Sequence, residues 1–221
     1  MKKSAFTMLE LVFVIVVIGI LSAIFIPKVG QNKLSEAATQ LISHIRYTQH
    51  LALSQDEYNT TDVNWYKKRW QIFFANTVGS NGWAYTIFSD ANGDGNPNVS
   101  EIAVNPLNQS KKLTGGYSAG TIAYGDSAAS DKLNLAHKYG ISNISFSANC
   151  SDGNSLRIAF DHIGRPLFGS IHLLNAPYTV GGASRLIQND AAGNPCIITI
   201  TRSGNTAKIA IEPETGYVHL Q

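Results

Sequence analysis

Charge is scarce in this chain: only 14% of its 221 residues are Asp, Glu, Lys or Arg, and the net charge is +2. A balance so near zero excludes the strongly basic surface of a general polyanion binder, and so low a charge content is unusual for a cytosolic domain. Gly, Asn, Ser and Thr supply the polarity instead, as in an exported, loop-rich β domain. Cysteine is scarcer still. Cys150 and Cys196 are the 2 cysteines, neither lies in a C-x-x-C pair, and no His-rich spacing accompanies them, so zinc sites and thioredoxin-like chemistry have little support. In an exported head they would form one disulfide, closing a loop that chain entropy values at ~4 kcal/mol; the other reading is two separate buried thiols.

Motifs of catalysis are also missing. Gly115-Gly116 and Gly181-Gly182 are not followed by the Lys-Ser/Thr or G-x-G-x-x-G pattern of a phosphate cradle. The 6 histidines are scattered, and Asp161-His162 has no nucleophile elbow beside it. These gaps point away from an enzyme. Two short basic groups, Lys67-Lys68-Arg69 and Arg202 with Lys208, could contact phosphate, but a solvated strand edge is the simpler account and nucleic acid is not an expected partner.

What the chain has in place of charge is one long apolar run. Phe6 to Ile26 reads FTMLELVFVIVVIGILSAIFI, with MKKSA before it, Pro27 after it, and Glu10 as its single ionisable group. As a helix rising ~1.5 Å per residue, it is about as long as a bilayer's hydrocarbon core is thick, and it is expected to be a membrane segment surrounded by lipid. A secretory signal peptide would have a shorter run followed by a small-residue cleavage box. Here the small residue, Ala5, stands before the run and no A-x-A follows Ile26, so any processing falls on the N-terminal side. Lys2 and Lys3 would stay in the cytoplasm and the C-terminus would cross.

Beyond Pro27 the pattern becomes amphipathic: Leu34, Ala38, Leu41, Ile45 and Ala52 recur at three- and four-residue spacing, with Ser, Glu, Gln, Arg and His on the opposite face. One helix over 6–57, kinked near Gly19 or Pro27, would thus begin in lipid (6–26) and end packed on a domain (28–57). From Trp65 the period drops to two. Trp70, Ile72 and Phe74 and then Trp83, Tyr85 and Ile87 flank Gly79-Ser80-Asn81-Gly82 as a hairpin. Residues 105 to 140 read as a long irregular connection. Strands are expected again at Ile144–Ala148, Leu156–Phe160, Ile171–Leu174, Cys196–Thr201, Ala207–Ile211 and Tyr217–Leu220. The expected class is α+β, a long transmembrane and amphipathic helix packed on an antiparallel β-sheet head over 58–221.

The stretch Asp90-Ala91-Asn92-Gly93-Asp94-Gly95-Asn96-Pro97-Asn98-Val99-Ser100-Glu101 has side-chain oxygens at Asp90, Asn92, Asp94, Asn96, Asn98 and Glu101 and Gly at the sixth position, the spacing of a calcium loop. Pro97 departs from the apolar eighth position and the flanks read as strands, so bound calcium and a metal-free polar turn are both open.

The leader Met1-Lys2-Lys3-Ser4-Ala5, then Phe6, Thr7, Leu9, Glu10, the unbroken apolar run and Pro27 closely resemble the type IV prepilins and the pseudopilins of type II secretion. The resemblance implies a pilin-like fold and cleavage of the 1–5 leader between Ala5 and Phe6 by a prepilin peptidase that methylates the new amine. The family usually has Gly where this chain has Ala5. It further implies that Glu10 meets the amine of Phe6 on a neighbouring subunit during assembly, which would offset the ~2.5–3.5 kcal/mol that a carboxylate costs at membrane depth. In the head, the Trp-led strand, Phe88 to Gly95, and Leu156–Phe160 with Gly164-Arg165-Pro166 look like the H-type minor pseudopilins and their FimT-like relatives. The implied function is a minor pseudopilin of a type II secretion pseudopilus, held single-pass in the bacterial inner membrane with a periplasmic head. Its partners would be other pseudopilins, the prepilin peptidase and the inner-membrane assembly platform. The alternative is a minor pilin of a type IV pilus or DNA-uptake system.

Overall fold

The computed structural model of the chain describes residues 7–55, 58–117, 122–153 and 155–221, with the backbone alone over 23–32. Its first element is α1, Met8–Ser54, a helix of 47 residues. Thr7 caps it, accepting on its hydroxyl the amide of Glu10 at 3.3 Å. The apolar stripe read from the sequence is the face that packs: Leu34, Ala37, Ala38, Leu41, Ile45 and Ala52 are all buried. Small alanines let the helix axis approach the sheets, and Leu41 and Ile45 fill the space between them.

The strands follow in order: β1 Trp70–Thr77, β2 Gly82–Ser89, β3 Asn143–Phe146, β4 Leu156–Phe160, β5 Pro166–Phe168, β6 Thr179–Val180, β7 Ala183–Ser184, β8 Cys196–Arg202, β9 Asn205–Ile211 and β10 Val218–Leu220. One sheet has the order β2-β1-β4-β5, a second has β10-β9-β8-β3, and β6 with β7 make a small hairpin. Every pairing is antiparallel. Alternation sorts the faces as the pleat requires. Ile72 and Phe74 of β1, Ile158 and Phe160 of β4, Ile198 and Ile200 of β8, and Ile209 and Ile211 of β9 join the buried face of α1 in one continuous core. The outer face of the first sheet is covered by two smaller clusters, one around Phe88, Ile102 and Ile122, the other around Tyr66, Leu167 and Ile171.

Gln49 ties the helix to the turns of both sheets. Its Nε2 donates to the carbonyls of Gly164 and Thr215, each at 2.8 Å. Gly216 makes room for it: at φ +62°, a Cβ there would stand 2.6 Å from Gln49 Nε2 and from the Gly164 carbonyl.

Three expectations are corrected. The α+β class built on a long transmembrane and amphipathic helix, with its pilin-like description, gives way to a mostly antiparallel β protein, because no helix among the described residues is long and apolar enough to cross a membrane. The expected single-pass inner-membrane location falls with it. From Lys33 onward α1 alternates exposed and buried residues, so that stretch of the helix is a face packed on the head and not part of an apolar span. Third, Ile171–Leu173 is a 3₁₀ turn and not a strand. Ile171 at its start and Leu174 just after it are buried while Leu173 is exposed, and the three-residue spacing of the buried pair is the period of a 3₁₀ turn.

Candidate functional site

The sequence singled out the start of α1, the acidic loop and the cysteines, and these lie in different environments. Ala5 and Phe6, the residues of the expected processing step, fall outside the described residues, as does the 1–5 leader. From Met8 to Leu21 the large apolar side chains face outward on every side of the helix, with Met8 86% and Phe13 70% exposed. Glu10 stands in the first turn with its backbone amide on Thr7 and its side chain exposed. A carboxylate there also complements the positive end of the helix dipole. Gly19 and Pro27 both lie inside α1, whose assignment runs through them unbroken.

The acidic loop closes on itself. Asp90 is fully buried and accepts the amides of Gly93 at 3.0 Å and Gly95 at 2.9 Å. Glu101 accepts those of Asn92 and Asn98, each at 3.0 Å, and Asp94 accepts the amide of Asn96 at 2.7 Å and the side-chain amides of Asn92 and Asn98. Tyr117 donates to Asn96 Oδ1 at 3.0 Å. Burial pushes the Asp90 carboxyl above its ordinary pKa, and Glu101 and Asp94 add to the push. Gly95 is required at φ +82°, since a Cβ there would run into the His172 ring. The counter-cation stands behind the loop: Arg157, 5% exposed, lies 4.0 Å over the Phe73 ring and is coupled electrostatically to Asp90 and Asp94. Among the described residues no group of three or more His, Cys, Asp or Glu side chains converges to hold a metal. Of the two readings left open for this loop, bound calcium would require the ion to displace these hydrogen bonds, each worth ~1 kcal/mol net, and to sit near a buried guanidinium.

Cys150 and Cys196 are bonded, with a Cα–Cα distance of 5.5 Å and both side chains fully buried. The bridge fixes the 3₁₀ turn Ala148–Cys150 to the first residue of β8.

The remaining constellations are engaged in structure. Arg69 is 4% exposed, donates to the Pro177 carbonyl at 2.6 Å and lies between the rings of Trp65 and Tyr178, while Lys68 pairs with Asp62 at 2.6 Å. The basic run is therefore broken up. Arg202 Nε donates to the Tyr139 carbonyl. Asp161 is turned away from His162 onto the amides of Ile163 and Arg165, the Arg165 side chain at 2.8 Å and the Tyr178 hydroxyl at 3.2 Å.

Sequence reasoning missed one polar network. Gln40 and His44, assigned with the other polar residues to the outward face of α1, instead flank its buried stripe and reach the hydroxyls of Tyr85 and Tyr139. The available signal was their i, i+4 spacing interleaved with Leu41 and Ile45, which puts them at the border of the apolar face. Burial lowers the His44 pKa to about 4, with Lys132 contributing, and raises that of Tyr85.

No protein-family model matches the chain, and no curated protein and no solved structure matches it either.

Proposed function

We propose that this chain is a structural subunit of the minor-pseudopilin kind, which assembles with like subunits into a pseudopilus of a type II secretion system through the first turns of α1. One observation carries the reading: from Leu34 onward one face of α1 is buried in the head, yet from Met8 to Leu21 the helix presents exposed apolar side chains all round, with no other described part of the chain covering them. A helix apolar on every side is stable where other apolar surface covers it, and copies of the same helix provide that surface. Within such a bundle Glu10 would be a lone carboxylate in a medium of low dielectric constant, and the freed amine of Phe6 on a neighbour, exposed by prepilin-peptidase cleavage after Ala5, supplies its partner and fixes the axial register. The role is one of assembly and not of catalysis. Co-expression with the companion subunits and the peptidase tests it: Glu10→Val is expected to be cleaved and folded as the native chain is, but to be absent from purified filaments. Its incorporation at the native level refutes the proposal.

A further inference from the structure

A recess of about 390 Å³ opens beside the packed half of α1, lined by Gln40 and His44 of the helix, by Asn105 and Leu107, and by the Ser130–Leu133 stretch. The groups beneath it are connected in series. The Tyr139 hydroxyl donates to Gln40 Oε1 at 2.5 Å, and Gln40 Nε2 donates to the Lys132 carbonyl at 2.7 Å and to the Tyr85 hydroxyl at 2.9 Å. The Tyr85 hydroxyl in turn lies 2.6 Å from His44 Nδ1. Tyr85 is 1% exposed, so its own hydrogen needs an acceptor inside the protein, and His44 Nδ1 is the one in reach. That donation fixes the tautomer: His44 is neutral and carries its hydrogen on Nε2. Among the described residues no group accepts it.

The neighbours of Nε2 share this character. Lys132 is exposed and its ammonium has no partner among the described residues, yet it is close enough to His44 to disfavour protonation of the ring. Lys111 lends its ammonium to the Ala129 carbonyl at 2.6 Å and sits 3.9 Å from Asp131, itself 72% exposed. The lining of the recess thus sets two ammonium groups against the Asp131 carboxylate, an arrangement that can take up an anion, while Glu36 acts on Tyr139 in the network beneath it. Leu107, 94% exposed, lines the same recess and gives it an apolar surface.

We infer that this recess is a binding site for a carboxylate carried on an apolar body, the carboxylate accepting from His44 Nε2–H and the Lys132 ammonium while the body lies against Leu107. A charge-assisted pair of donors orients the group, and the leucine contributes the contact area.

The test is a titration of the ¹⁵N-labelled full-length chain, kept dispersed in a non-ionic detergent, with phenylacetate at constant ionic strength. The expected result is one saturable curve shared by the His44 Nε2 resonance and the Leu107 amide, with Lys132→Met weakening the apparent affinity about tenfold, the size of one charge-assisted contact. Lys132 is a surface side chain, so its loss leaves the fold intact; His44→Phe, a more invasive change, is expected to abolish the saturable shift. Competition by acetyl-Leu-Glu-amide would assign the carboxylate to a polypeptide side chain, and binding of phenylacetate alone would assign it to a free acid. A linear response without saturation, equal displacement by chloride, or native affinity in Lys132→Met overturns the inference.

Discussion

The two halves of α1 are the same secondary structure held by different causes. The distal half is helical because a stripe of small and branched apolar residues docks into both sheets: Ala37, Ala38, Leu41 and Ile45 are all 0% exposed. The proximal half has no such support. It is rich in β-branched residues, Val12, Val14, Ile15, Val16, Val17 and Ile18 among them, which lower intrinsic helix propensity, and those side chains are exposed. Its hydrogen bonds among the described residues are the backbone ladder, the Thr7 cap and the Ser22 hydroxyl donating back to the Ile18 carbonyl. The difference teaches that the boundary of the head is set by amphipathicity and not by helicity. One half belongs to the domain; the other is left uncovered by the described residues.

The largest expected effect lies wholly on the head side of this boundary. Removing the bridge by Cys150→Ala with Cys196→Ala opens a loop of 46 residues' separation, for which chain entropy predicts a loss of ~4 kcal/mol in denaturant unfolding. Incorporation into filaments, scaled to the amount of folded chain, should be unchanged. Next in size is a paired truncation. Leu41→Ala is expected to cost ~3 kcal/mol, since Leu41 is fully buried in the shared core, whereas Leu11→Ala, 58% exposed, should leave the unfolding free energy within about 0.5 kcal/mol and instead reduce assembly. Equal destabilisation by the two would mean that the halves are not distinct.

The packed half also carries a pH dependence. The folded pKa of His44 is lowered to about 4 from 6.5, chiefly by burial. Between those values the unfolded chain takes up a proton that the folded chain refuses, so this contribution to stability is complete above pH 6.5 and is lost as the pH falls toward 4, by up to ~3 kcal/mol. Urea midpoints measured from pH 7 to pH 4 should fall further for the native chain than for His44→Gln, whose amide can keep a hydrogen bond to Tyr85 without titrating.

Most of the head was legible because period-two runs bounded by turn residues fix strands locally. Trp70–Thr77 and Gly82–Ser89 stand where the alternation placed them, as do Leu156–Phe160 and the last hairpin. The connection over 105–140 was rightly read as irregular for most of its length, although Leu135–Tyr139 forms a short helix capped by Asn134 and closed by Gly140 at φ +72°. What could not be read depends on tertiary neighbours. The spacing of Asp90 to Glu101 suits either a cation or a closed turn, and the choice is biased by Arg157, more than fifty positions away and brought beneath the loop by the pairing of β4 with β1. Likewise Gln40 and His44 look like surface polar residues until Tyr85 and Tyr139 arrive from β2 and the short helix. The apolar run at the start was conspicuous, but its length in sequence gave a membrane span that the described helix does not meet.

The smallest expected effect sharpens the contrast from the exposed side. Thr7 supplies the one side-chain cap at the start of α1, accepting the Glu10 amide at 3.3 Å while its carbonyl accepts the amides of Glu10 and Leu11 at 3.1 and 3.2 Å. Thr7→Ala removes the hydroxyl only, a change of ~1 kcal/mol in the stability of a helix end. In a helix docked along its whole length, that loss would be shared by the global transition. Here the first turns touch nothing in the head, so opening them is a local event with its own free energy. Amide exchange at Glu10 and Leu11 should therefore quicken about fivefold, the ratio that ~1 kcal/mol sets, while the unfolding midpoint and the exchange of Leu41 and Ile45 stay at their native values. If the midpoint moved with the first-turn amides, the two halves of α1 would be one cooperative unit, and the exposed half could not act as a separable surface for assembly.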